Sequence, residues 1–217
     1  MMFNYRDRDT RSPAVHLIKV FDKQSVLDMI QQVREKVAPI QGTHVEGSEG
    51  KPKEEKRVST VRWFMDNNFE GILRGAVDLA NYIAGWKYEI VKSEMLQFTE
   101  YGVGGHYGWH TDGMGDNGSI RNWVEGDMQN SLVETKDINL LGTVRKLSTS
   151  VILNEDYEGG ELEFRLIDGM GEVETTRMKP PAGSVVVFPS YIPHRVAPIT
   201  KGTRYSVVAW YGGPPFK

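Results

Sequence analysis

Tyr107-Gly108-Trp109-His110-Thr111-Asp112 is the stretch on which the reading of this chain turns. Gly102, Gly104, Gly105 and Gly108 crowd the approach to it and oppose a helix. The stretch therefore reads as a strand. Extended backbone sends successive side chains to opposite faces, so His110 and Asp112 point the same way. A helical HExxH-type metal site is ruled out by the same glycines.

Working outward, the sequence from about Lys87 onward alternates short apolar runs with turn signals. The spacing predicts strands over 90–100, 105–112, 147–154, 161–167, 172–178, 184–189, 193–198 and 203–211. Gly159-Gly160 and Asp168-Gly169 punctuate them. Thr200-Lys201-Gly202 reads as a turn that joins the last two strands in an antiparallel hairpin. Upstream, Asp22 caps a helix whose face carries Val26, Ile30, Val33 and Val37, ended by Pro39. Asp66 or Asn67 caps a second, with Phe69, Ile72, Leu73, Ala76, Ala80 and Ile83 as its stripe and Gly85 at its end. Val58 to Phe64 reads as a strand, and Gln41 to Lys56 as a flexible, solvated loop. The fold class is mainly β with N-terminal helices, a double-stranded β-helix (jelly roll) buttressed by helices. We expect one domain over 1–217, with 1–86 mainly helical support and 87–217 the jelly-roll core. Residues 113–146 break the rhythm, and a connection that long inside a compact domain points to a functional or mobile segment.

The 217 residues carry 26 basic and 29 acidic side chains, a net charge of −3, which argues against bulk affinity for nucleic acid. There are no cysteines, so any metal must be held by histidine and carboxylate, and there are only five histidines. The first residues are too charged for a signal peptide, and no apolar run approaches transmembrane length. The expectation is a soluble, cytoplasmic protein with no membrane partner.

Three residues then stand out together. His110 and Asp112 share a face, and His194 follows Phe188-Pro189-Ser190 on a late strand. Two imidazoles and one carboxylate can occupy three adjacent positions on an iron and leave the others open. Ten residues beyond His194 is Arg204, which shares strand parity with Ser206, Val208 and Trp210. If that face is the inner one, a buried cation needs a partner. A bound dicarboxylate and a structural acid such as Glu163 are both open at this point. His106 has the parity of a residue behind the metal and reads more simply as a rim histidine; His16 and His44 read as incidental. Lys51, Lys53, Lys56 and Arg57 alternate with Glu54 and Glu55 as a solvated face.

Several stretches carry a resemblance: Leu96 to Tyr101 with the Gly-rich run into His110 and Asp112, Leu147 to Asn154, Gly159 to Phe164, Pro181 to Pro189, His194 to Pro198, and Gly202 to Trp210. In order and spacing they resemble the prolyl 4-hydroxylase-like branch of the Fe(II)/2-oxoglutarate-dependent dioxygenases. The resemblance implies that His110, Asp112 and His194 bind Fe(II) and that Arg204 grips the distal carboxylate of 2-oxoglutarate. It implies a cosubstrate contact from Tyr101, and places Tyr107 and Trp210 near the substrate. It implies hydroxylation of a C–H bond of a peptidyl residue such as proline, with O2 consumed and succinate and CO2 released, and with ascorbate as a candidate reductant. Segment 41–57 resembles the mobile loop that covers substrate in family members. The chain departs from some relatives in having Ile152 where they place a second, tyrosine grip on the distal carboxylate; Ser150 and Ser206 are the candidate replacements. Two other readings stand beside this one: a hydroxylase of a free amino acid or other small molecule, and a jelly-roll module that binds metal without turnover.

Overall fold

A computed structural model describes residues 3–5, 14–46, 54–128, 130, 132–167 and 171–217. In chain order its elements are β1 (Phe3–Tyr5), β2 (Val15–Lys19), α1 (Lys23–Lys36), β3 (Ile40–Glu46), β4 (Glu54–Phe64), α2 (Asn67–Ala84), β5 (Lys92–Ser93), β6 (Leu96–Tyr101), β7 (His106–His110), β8 (Asn122–Trp123) and β9 (Glu134–Thr135). There follow β10 (Val144–Ile152), β11 (Tyr157–Gly159), β12 (Leu162–Ile167), β13 (Val173–Met178), β14 (Ser184–Pro189), β15 (His194–Val196), β16 (Ile199–Gly202) and β17 (Arg204–Gly213).

The main sheet runs β1-β2-β14-β10-β17-β6-β4-β7-β15-β12-β13, with β3 added to β4 and β5 to β17. It is antiparallel throughout and curls until β6, β17 and β10 face β7, β15 and β12 across a common interior, the jelly-roll arrangement. β4 is the seam of the curl. Its residues Thr60 to Phe64 pair with β6, while Arg57 and Val58 pair with β7.

Alternation sorts the side chains of the central strands into two compartments. Val185 and Val187 of β14 pack toward the helices with Val151, Val207, Ala209 and Tyr211, whereas Val186 and Phe188 point into the roll with Phe164 and Ile192. A strand buried on both faces reads as an unbroken apolar run, which explains Ser184-Val-Val-Val-Phe188. On β17 the odd positions join the helix-side core, and Arg204, Ser206, Val208 and Trp210 line the interior. The helices begin as their caps predict. Asp22 accepts from the Ser25 N–H, Asp66 accepts from the Asn68 and Phe69 N–H groups, and Gly85 closes α2 in the left-handed conformation.

Several expectations are revised. Residues 1–86 contribute two helices but also β1 to β4, so helical support describes only half of their role. The supposed loop at 41–56 is largely a β-hairpin, with Ile40 to Glu46 paired to Glu54 to Val61; residues 47–53, like the Asp168-Gly169 turn, lie outside the described residues. On α2, Ile72 and Ile83 are 49% and 39% exposed, and Val77 and Ala84 take their places in the buried stripe. The helical rotation from Phe69 and Leu73 leads to Ala76, Val77 and Ala80, which leaves Ile72 a quarter-turn out. β15 and β17 do not form a hairpin. β15 pairs with β7 and β12, β17 with β10 and β6, and the chain crosses between the two sides through β16, which pairs with β11. Within 113–146 the described residues form turns, a 3-10 turn at Asn117–Ser119, the short parallel pair β8–β9 and the first residues of β10.

Candidate metal centre and cosubstrate pocket

His110 and His194 are directly opposite each other on β7 and β15. Asp112 comes from the turn after β7 rather than from the strand itself. Its N–H and that of Gly113 both donate to the Ser190 carbonyl at 2.9 Å, which bends the carboxylate back over the histidines. The three ligand atoms lie within 4.8 Å of one another. His110 Nε2 is 3.6 Å from Asp112 Oδ1, and His194 Nε2 is 3.5 Å from Oδ2.

The remaining ring nitrogens fix the tautomers. His110 Nδ1 lies 2.8 Å from the Gly108 carbonyl, and His194 Nδ1 lies 2.9 Å from the Ile192 carbonyl. A carbonyl only accepts, so each Nδ1 carries a proton, and each Nε2 is the ring nitrogen that faces Asp112 and is left to bind a metal. Burial, with the neighbouring His194 adding to it, pushes the His110 imidazole down to about 3, so it stays neutral. Burial pushes the Asp112 carboxyl up, but His194, His110, Arg145 and a hydrogen bond from Ser148 outweigh it and hold the group below its usual value. A neutral imidazole, as at His110, and an ionised carboxylate, as at Asp112, are forms that ligate a metal. The Tyr107 ring stacks on His110 at 3.6 Å between centroids, and Phe188 meets His194 edge-on at 4.7 Å.

The same cavity runs on to Arg204, which is 1% exposed. Its Nη1 donates to Ser206 Oγ at 2.8 Å, while Nε and Nη2 are buried with no hydrogen-bond partner among the described residues. Glu163, the acid considered as its structural partner, is taken by Arg177 at 2.9 Å and Arg195 at 2.6 Å. Two orphaned donors on a buried guanidinium fit an incoming carboxylate. Tyr101 faces Arg204 across β6 and β17, with its ring 5.7 Å from the guanidinium carbon. Ile152 stands opposite Ser206 on the inner wall and supplies no polar contact.

Other residues at the site were not anticipated. The Tyr157 phenol lies beside Arg204; burial raises its pKa, and the charge and hydrogen bonding of Arg204 oppose that rise. Ser150, considered as a replacement for the missing tyrosine, lines the cavity as well. The available signal was a tyrosine just before Gly159-Gly160, where a Cβ on Gly160 would meet Ile199 Cδ1 at 2.2 Å and Arg204 Cδ at 3.2 Å. Arg57 is not on a solvated face. It lines the cavity, donates to Ser59 Oγ at 2.9 Å and Gln97 Oε1 at 2.7 Å, and covers the Tyr107 ring at 4.7 Å. Arg145 covers the Trp210 ring at 4.4 Å.

Two imidazoles and a carboxylate converging inside a jelly roll define the donor set of mononuclear non-haem iron sites. The family model of the 2OG-Fe(II) oxygenase superfamily matches residues 96–212, more than half of the chain, and the chain belongs to that superfamily. A PKHD-type hydroxylase of Picosynechococcus is 34% identical over 117 residues, covering 53% of this chain and 40% of that protein. One from Hyphomonas neptunium is 33% identical over 116 residues, covering 52% and 41%. The aligned region thus spans about two-fifths of the length of these curated relatives. Among solved structures, a Pseudomonas putida prolyl-4-hydroxylase superposes with a TM-score of 0.56 at 19% identity, covering 91% of each chain. A viral collagen prolyl hydroxylase from Paramecium Bursaria Chlorella virus-1 does so with 0.58 at 18%, covering 92% of this chain and 96% of that one. At these identities the likeness is one of fold, the jelly roll expected from the strand pattern.

Proposed function

We propose that this chain is an Fe(II)- and 2-oxoglutarate-dependent dioxygenase that hydroxylates a C–H bond of a peptidyl residue, with proline the foremost candidate. The observation that carries it is a single cavity with His110, Asp112 and His194 at one end and the half-unpaired guanidinium of Arg204 at the other. His110 Nε2, His194 Nε2 and an Asp112 oxygen would hold the iron, leaving positions open toward the cavity. Arg204, with Ser206 and Tyr157 beside it, would hold the distal carboxylate of 2-oxoglutarate. Bound iron and oxoacid supply the oxygen activation, with 2-oxoglutarate leaving as succinate and CO2.

The chain's own groups position and exclude. The Gly108 and Ile192 carbonyls keep both imidazoles in the metal-binding tautomer. Tyr107, Phe188, Leu162 and Val196 make the walls apolar, which keeps water away and strengthens the contact between Arg204 and a carboxylate. Tyr107, Trp210 and Arg57 border the place where substrate would enter. A peptide substrate is supported by one structural neighbour, a prolyl hydroxylase in complex with a hypoxia inducible factor peptide fragment from Trichoplax adhaerens. A non-catalytic module would need neither open iron positions nor a buried arginine with unpaired donors.

The test is succinate formation from 2-oxoglutarate under air with Fe(II) and ascorbate, comparing wild type with His110→Ala and Arg204→Ala, beside anaerobic 2-oxoglutarate binding by each. Binding and turnover that both depend on His110 and Arg204 support the assignment. Binding without turnover directs the search to peptides and small molecules as prime substrates. Neither binding nor turnover in the wild type would overturn the proposal.

A further inference from the structure

Glu94, between β5 and β6, is nearly buried and carries two arginines. Arg145, at the start of β10, donates to it through Nε at 2.6 Å and Nη2 at 2.7 Å. Arg121, from the 113–146 excursion, donates through its own Nη2 at 2.7 Å. Arg145 has one further arm. Its Nη1 reaches the main-chain carbonyl of Asp112 at 3.3 Å, while the guanidinium lies over Trp210.

A bidentate arginine already neutralises a carboxylate. The second guanidinium is therefore not needed for charge, and burial and the like charge of Arg145 both work against it. What it adds is geometric. The last torsion of a glutamate side chain is soft. Because Arg121 and Arg145 share Oε1, the Glu94 carboxylate cannot rotate without breaking one of them. Arg121 is itself held on both sides, its N–H donating to the Thr143 carbonyl at 3.0 Å and its carbonyl accepting from the Gly142 N–H at 2.9 Å.

We propose that Arg121 is a positioning residue of the metal centre, acting through Glu94 and Arg145 on the turn that carries Asp112. The excursion at 113–146 is then part of the site rather than a decoration on it. This role rests on the reading of Asp112 as a metal ligand. Its first link, from Arg121 to the Asp112 turn, can be measured without metal.

The experiment compares wild type, Arg121→Met, which keeps length without charge, and Arg121→Lys, which restores the charge. In the metal-free protein, amide hydrogen exchange at Asp112 and Gly113 is measured against Ser148 to Val151 as an internal reference. Arg121→Met is expected to speed exchange at the two amides by about tenfold or more with the reference unchanged, and Arg121→Lys by less than about threefold. Co(II) titration should show affinity about tenfold weaker in Arg121→Met and largely restored in Arg121→Lys, as for residues that orient a metal ligand. Loosening confined to 117–124 and 140–143, with Asp112 and Gly113 as protected as in wild type, would make Arg121 an anchor of its own loop and overturn the proposal. Should Arg121→Met fail to fold, Glu94→Gln replaces it, with the same two amides deciding. A wild type that takes up no Co(II) would sink the metal assignment, and the exchange result would still decide whether Arg121 fixes the turn.

Discussion

Arg204 and its neighbours are the residues on which cosubstrate binding would depend most sharply. Tyr157→Phe removes one hydroxyl beside the guanidinium and leaves the ring in place. It should weaken anaerobic 2-oxoglutarate binding by about five- to twentyfold, the worth of a hydrogen bond near a charge, with thermal stability nearly unchanged. An affinity equal to wild type would remove Tyr157 from the pocket's working set. A second residue, His16, bears on stability alone. It is fully buried with neither ring nitrogen hydrogen-bonded among the described residues, and it meets Trp86 edge-on at 5.3 Å. Burial lowers its pKa, so the folded chain refuses a proton that the unfolded chain accepts below about 6.5. The stabilising difference is therefore complete above that pH and is lost as pH falls toward the folded value. His110, also lowered by burial, acts in the same direction. Urea unfolding at about pH 7.5 and about pH 5.5 should show wild type losing more stability than His16→Phe on acidification. Equal losses in the two proteins would show that His16 is not a source of the pH dependence.

At the scale of elements, the turn between β11 and β12 is tightly constrained and adjoins Arg204. Gly160 has φ +66 and faces Ile199 and Arg204, whereas Gly171 has φ +87 and a Cβ there would meet nothing within 4 Å. Both substitutions to alanine cost backbone strain, but only Gly160→Ala adds a clash, with Ile199 Cδ1 at 2.2 Å, and a tight contact with Arg204 Cδ at 3.2 Å. We expect Gly160→Ala to lose 2-oxoglutarate binding by well over about tenfold and Gly171→Ala to keep it, each destabilised by about 1 kcal/mol or more from the strain alone. Comparable binding in the two variants would mean that the turn does not set the arginine. Elements also show which local signals were readable. Asp22, Asp66 and Gly85 marked helix ends because capping is local chemistry. Gln41 to Lys56, which holds most of β3 and the first residues of β4, reads as a loop because its charged, glycine-containing sequence has little strand propensity of its own; the pairing of β3 to β4, itself held by β6 and β7, is what makes it extended.

For the whole molecule, the cavity joins His110 and His194 on one side of the roll to Arg204 on the other, so occupancy should be felt as global stability. Fe(II) with 2-oxoglutarate under anaerobic conditions should raise the unfolding free energy by about 2.7 kcal/mol at a hundredfold excess over Kd, and a chelator should reverse it. His110→Ala and Arg204→Ala should show little of that increase, and a thermal melt unmoved by both additions in wild type would argue against the site. The sequence by itself determined the residue types and their spacing: His110, Asp112 and His194, Arg204 ten positions later, the both-faces-buried run Ser184 to Phe188, and the helix caps. These are local or periodic features, and alternation and capping obey short-range geometry. Only the tertiary structure decided what faces what. It put β15 and β17 on opposite sides of the roll rather than in a hairpin, turned Asp112 inward through Ser190, assigned Glu163 to Arg177 and Arg195, set Tyr157 beside Arg204, and joined Arg121 and Arg145 on Glu94. Those outcomes depend on which strands pair across long separations, and strand pairing is chosen by the collective burial of two compartments rather than by any single segment.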